Sequence, residues 1–114
     1  MKIAVVVYAG PGDIARGYRA FGVIEDFKDA GDDIVAVFDG NGVETLAAYL
    51  DPGHAHHQLY LNVWDVILGT CSVCARVHRV QQKLESAGIE MLRDHKGHAS
   101  IRNLVAAGYQ VITI

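Results

Sequence analysis

Residues 3–8, Ile-Ala-Val-Val-Val-Tyr, form an unbroken apolar and β-branched run. Such a run marks a strand buried on both faces, as in a parallel sheet. Ala-Gly-Pro-Gly-Asp at 9–13 breaks it, and Asp13 is placed to cap a helix over residues 14–30. Ile14, Tyr18, Phe21, Ile24 and Phe27 recur at helical spacing there, and Gly31 closes the segment. Residues 34–38 read as a second buried strand, closed by Asp-Gly-Asn-Gly. A second helix is predicted over 43–50 and stopped by Asp-Pro-Gly. The stretch 54–63 is ambiguous and admits a short helix. A third strand over 66–68 runs into Cys71, and a helix over 72–87 ends at Gly88. A fourth strand covers 89–92. The loop Asp-His-Lys-Gly-His-Ala-Ser leads to Ser100, which caps a helix over 101–107. Gly108 ends that helix and a last strand spans 109–114.

Strands alternate with helices throughout, which implies a parallel sheet with helices on both faces. The expectation is a single domain over residues 1–114. It is an α/β, flavodoxin-like three-layer sandwich with a five-stranded, mainly parallel sheet, of order 2-1-3-4-5 or a relative. Ligands of such sheets bind at the carboxyl ends of the strands, near the switch point, here expected between strands 1 and 3. That places Gly10, Pro11 and Gly12, after strand 1, among the candidate ligand contacts. Asp39 and Asn41 after strand 2, and His98 after strand 4, complete the set.

Composition narrows the function classes. About half of the 114 residues are apolar (51%), enough for a core, and the net charge is −3. No Lys/Arg cluster or basic excess offers a nucleic-acid surface. No apolar run is long enough to span a bilayer, and the β-rich start reads as a strand rather than a signal peptide. A cytoplasmic, reducing setting follows as the expectation. There a C-x-x-C pair is more often catalytic or metal-binding than a structural staple.

The only two cysteines lie in Gly-Thr-Cys-Ser-Val-Cys-Ala-Arg-Val-His-Arg at 69–79. A cysteine at a strand-to-helix junction meets unpaired amide N–H groups that favour its thiolate. Cys71, Cys74 and His78 share one face of the predicted helix, so a cationic His78 would favour a thiolate on Cys74, with Arg76 and Arg79 adding positive charge. The alternative is that both sulfurs are small, inert core groups. His98 is a candidate acid or base toward Cys71. Zinc would need a second ligand pair from His54/His56/His57 or His95/His98, and no standard zinc spacing is met. The three clustered histidines are expected in a solvated loop, and no metal or cofactor is expected. Gly-Pro-Gly-Asp-Ile-Ala at 10–15 loosely matches a dinucleotide loop. Pro11 removes an N–H donor there, and Asp13 puts negative charge where a phosphate would sit.

Three segments together resemble the DsrE/DsrF-like family, part of the DsrE/TusD sulfur-relay superfamily. They are Val-Phe-Asp-Gly-Asn-Gly-Val-Glu-Thr-Leu at 37–46, Gly-Thr-Cys-Ser-Val-Cys-Ala-Arg-Val at 69–77, and residues 97–114. The resemblance implies a flavodoxin-like fold, a homo-oligomer (trimer or hexamer), and a cytoplasmic sulfur carrier. It also implies a persulfide held on the cysteine after strand 3, which is Cys71 here, together with sulfur donor and acceptor partners. Cys74 lies outside the relay pattern. As a second thiol it would either resolve a Cys71 persulfide or stay inert, so three readings stand. They are a sulfur carrier on Cys71, a thiol–disulfide redox protein using both cysteines, and a non-catalytic oligomeric module that binds a ligand or protein.

Overall fold

A computed structural model describes all residues 1–114. Five strands form one all-parallel sheet: β1 (Lys2–Val7), β2 (Asp33–Phe38), β3 (Ile67–Cys71), β4 (Met91–Leu92) and β5 (Gln110–Thr113). The helices are α1 (Ile14–Asp29), α2 (Gly42–Tyr49), α3 (His57–Val63), α4 (Ser72–Val77), α5 (Gln81–Ser86) and α6 (Ile101–Ala106), with a 3-10 turn at Trp64–Val66. The expected α/β class and five-stranded parallel sheet are present, and α3 fills the ambiguous stretch. No helix is long and apolar enough to cross a membrane.

Strand order differs from 2-1-3-4-5: it is β4-β3-β2-β1-β5. The steps β1→β2→β3→β4 all run in one direction, so right-handed crossovers put α1 to α5 on a single face. The return from β4 to β5 crosses back over the sheet, which leaves α6 alone on the other face. Alternation along β1 divides the core accordingly. Ile3, Val5 and Val7 join Phe21, Ile24, Leu46, Tyr49 and Leu84 in the larger cluster. Ala4 and Val6 join Val37, Cys71, Ala99 and Leu104 in the smaller one. Phe21 anchors the first cluster, with its ring 5.4 Å from Phe38 and 4.8 Å from Tyr49. Burying such a side chain contributes roughly 1.5–3 kcal/mol.

The new order moves the switch point. It lies between β1 and β5, and β2 separates β1 from β3. The Ile114 carbonyl closes that crevice by accepting from the Tyr8 and Ala9 amides. The cysteines therefore sit at the carboxyl edge but not at the switch point.

Helix ends follow the sequence except at one place. Asp13 accepts from the Arg16 N–H at 3.2 Å, and Ser100 from the Asn103 N–H at 3.1 Å. Gly31, Gly88 and Gly108 end α1, α5 and α6 at positive φ. The predicted helix over 72–87 is instead two helices, α4 and α5. Arg79 takes φ 59° at the break. The Arg79 and Val80 amides donate to the Arg76 and Ala75 carbonyls, the paired bonds of a Schellman termination. A continuous helix would turn Ala75, Arg79 and Gln82 inward. The break re-phases the chain so that Val80 and Leu84, four apart, reach the core instead.

Candidate functional site

Four consecutive loops at the carboxyl edge bring one group of side chains together. Tyr8 follows β1, Asp39 follows β2, Cys71 ends β3, and His98 follows β4. Cys74 adds its sulfur from the first turn of α4. Cys71 Sγ lies 3.3 Å from His98 Nδ1, and the Cys74 thiol donates to Asp39 Oδ1 at 3.4 Å. The two sulfurs and a His98 ring nitrogen all lie within 4.8 Å of one another. Both cysteines are free thiols.

Cys71 has no solvent exposure, because it is the last inward residue of β3 and belongs to the α6-side core. Cys74 is half-buried between the two core clusters, and His98 is exposed. The site is thus graded, with a closed sulfur at its base and an imidazole at its rim.

The turn that carries His98 is tightly specified. His95 and His98 exchange both backbone hydrogen bonds, at 3.0 and 2.8 Å, around Lys96 and Gly97. Both central residues have positive φ (51° and 81°), which is the two-residue hairpin geometry that favours glycine. The Gly97 carbonyl accepts the Val73 N–H at 3.0 Å, tying this turn to the start of α4. A Cβ on Gly97 would stand 2.7 Å from Val73 Cγ2. The His98 ring therefore approaches Cys71 from a fixed direction.

Electrostatics hold the Cys74 thiol protonated. Burial, followed by the neighbouring Cys71 thiol, pushes the Cys74 thiol up to about 12. The Gly40 backbone works against them, and the Asp39 carboxylate adds a smaller upward push. Asp39 itself is oriented by the Gly40 N–H, which donates to Oδ1 at 2.8 Å. Tyr8 is raised above an ordinary phenol by burial, then by the Asp39 charge, with smaller effects from Cys74 and Cys71. A negative charge near Asp39 is thus disfavoured on both Tyr8 and Cys74.

Other sequence candidates fall elsewhere. His78 caps α4, and its Nδ1 lies 3.5 Å from Glu44 Oε2 rather than serving Cys74. Its amide still donates to the Cys74 carbonyl at 2.9 Å, but Glu44, not Cys74, is the partner of its ring. Arg76 and Arg79 are exposed. α4 is only six residues long, so the special position of Cys71 comes from His98 more than from a helix dipole. Gly10 packs on Asn41, where a Cβ would stand 2.8 Å from Asn41 Cβ. Gly10 and Pro11 line a separate cavity of about 250 Å³ with Tyr49, His54 and His56, while Gly12 has open space around it. Asn41 is exposed and makes no side-chain capping bond to α2.

The histidine cluster at 54–57 is not a solvated loop. His56 Nδ1 is 3.0 Å from the Tyr49 hydroxyl, His57 Nδ1 is 2.8 Å from the Tyr49 carbonyl, and His54 Nδ1 accepts the His56 N–H at 2.9 Å. Tyr8 is the residue that sequence reasoning missed. It ended a strand run and read as strand, and its place as the first residue beyond β1 was the available signal.

No family model, no curated protein and no solved structure matches this chain.

Proposed function

We propose that this chain is a small sulfur carrier of the DsrE/DsrF-like kind that holds sulfane sulfur on Cys71. One observation supports it above the rest: the two neighbouring thiols have opposite partners. Cys71 faces an imidazole at 3.3 Å, a group that takes a proton, while Cys74 donates its proton to the Asp39 carboxylate. A carrier needs one thiol that ionises and no second thiolate nearby to strip its cargo.

The steps balance without an outside oxidant or reductant. His98 takes the Cys71 proton. The Cys71 thiolate attacks the terminal sulfur of a donor persulfide, R–S–SH. The donor S–S bond breaks as the new Cys71 S–S bond forms, and R–S⁻ leaves and is protonated. Delivery is the same displacement in reverse, with an acceptor thiolate attacking the terminal sulfur and Cys71 leaving as thiolate. Cys74, held as a thiol, does not attack the inner sulfur, so the persulfide persists. Because Cys71 is closed to solvent, loading requires a local opening at the Tyr8 and His98 rim.

The remaining parts of this reading are a cytoplasmic setting, donor and acceptor proteins, and a homo-oligomer. The oligomer is supported by the sheet face that only α6 covers, where Leu68 of β3 stays exposed, as does Val105 on α6 itself. A second reading, a thiol–disulfide redox protein, is favoured by the closeness of the two sulfurs. Intact-mass measurement after exposure to a persulfide donor tests the carrier. One added sulfur is expected on wild type and on Cys74→Ser, and none on Cys71→Ser. Equal loading of Cys71→Ser and wild type would overturn the assignment.

A further inference from the structure

We propose that Cys71, Cys74 and His98 form a zinc(II) site with one open coordination position. The inference uses the same side chains as the carrier reading but does not depend on sulfur transfer.

Two soft sulfurs and one imidazole form a donor set suited to zinc and unsuited to the hard ions magnesium, calcium and manganese. Their spacing fits. Zn–S and Zn–N bonds of about 2.3 and 2.0–2.1 Å put neighbouring ligand atoms of a tetrahedron roughly 3.4–3.8 Å apart. Cys71 Sγ and His98 Nδ1 stand 3.3 Å apart, close to that edge length, and all three donor atoms lie within 4.8 Å of one another. No other group of three or more His, Cys, Asp or Glu side chains in the chain meets that spacing.

The ligands are also held in place. Cys71 is fixed by the end of β3 and Cys74 by the first turn of α4. His98 is fixed by the closed His95–His98 turn and its bond to α4. This is why the linear sequence hides the site. His98 lies 24 residues beyond Cys74, and only the parallel sheet brings the two loops together. Three protein ligands leave the fourth tetrahedral position for water, the arrangement of an open rather than a structural zinc site. Asp39, beside Cys74, accepts a hydrogen bond from that thiol in the metal-free protein, so zinc has to displace the Cys74 proton to bind.

Binding is a ligand exchange with no redox change. Zinc(II) loses hydration waters and gains two thiolates and one neutral imidazole. The two thiol protons pass to solvent, so affinity rises with pH. A bound ion would also cover Cys71, making zinc and persulfide loading mutually exclusive.

The test is titration with zinc(II), and with cobalt(II) as its spectroscopic stand-in, on the reduced protein with no sulfur donor present. One equivalent is expected to bind, with a sulfur-to-cobalt charge-transfer band that zinc abolishes. Cys71→Ser and Cys74→Ser should each weaken binding and diminish the band, and the double variant should lose it. His98→Ala should weaken binding by more than the roughly 10–100-fold typical of groups that only support a ligand. Circular dichroism of each variant confirms that the fold is retained. A His54→Ala/His56→Ala/His57→Ala variant should bind as wild type does. Absence of a thiolate band, or binding lost in that triple variant but kept in the two serine variants, would overturn the proposal. Because no persulfide enters the assay, failure here leaves the carrier reading standing, and failure of sulfur loading leaves this one standing.

Discussion

Replacing Asp39 by Asn tests why the Cys74 thiol stays protonated. Asp39 accepts the Cys74 proton at 3.4 Å and contributes to holding that thiol up at about 12. Alkylating reagents attack the thiolate only. A thiol at about 12 rather than the ordinary 9.0 has about 1,000-fold less thiolate at pH 8. Cys74 is half-buried, so solvent screens part of this. Halving the shift still leaves about a 30-fold suppression. Burial is the largest cause and survives the substitution, so Asp39→Asn should recover only part of the reactivity, several-fold at pH 8. The assay is iodoacetamide alkylation across pH 7–10 with Cys71 in place, since that thiol is itself a cause of the shift, and peptide fragmentation in the mass spectrometer tells the two sites apart. Cys74 reacting at the rate of a free cysteine, or not responding to Asp39→Asn, would refute the account of why the second thiol is silent.

Gly97→Ala should tilt the His98 turn, since φ is 81° and the new Cβ would meet Val73 Cγ2 at 2.7 Å. A loss of about 1–3 kcal/mol in urea unfolding is expected for such backbone strain, together with slower sulfur loading. Unchanged loading would show that the turn does not position the base. Arg79→Gly relieves a left-handed residue and should raise stability by about 1 kcal/mol, seen as a higher Tm. A lower Tm would mean that the Arg79 side chain holds the break. Alkaline pH should destabilise the fold. The raised Cys74, Tyr8, Tyr49 and Tyr60 favour their protonated forms when folded, so this stability is complete below about pH 8.5 and is lost as pH rises through the raised values. Cys74→Ser should flatten the fall in urea midpoint between pH 9 and 11, and an unchanged slope would contradict the sign.

Much of the architecture was readable because its signals are local. The β-branched run at 3–8, the capping residues Asp13 and Ser100, and the glycines at 31, 88 and 108 each fix one boundary by backbone chemistry alone. The break at Arg79 escaped because an arginine sits where glycine is the usual marker. The five-residue step from Ala75 to Val80 was the available clue. Strand order escaped because alternating strands and helices fix crossover handedness but not which edge of the growing sheet a new strand joins: β3 lies beside β2 rather than β1, and β5 returns to β1. The site divides in the same way. Cys71 at its junction was visible in the sequence. Its pairing with His98, the Cys74–Asp39 bond, and the turning of His78 to Glu44 depend on which loops the sheet sets side by side.

On the proposed carrier reading, Cys71 keeps a sulfane sulfur beside a protonated Cys74. Its most direct test is the intact mass of the reduced wild-type protein followed over time at pH 7 after one pulse of persulfide donor. A carrier gives a species one sulfur heavier that persists and is discharged by an added acceptor thiol. Rapid passage to a species lighter by two hydrogens, with release of sulfide, would mean that Cys74 resolves the persulfide, and it would contradict the claim.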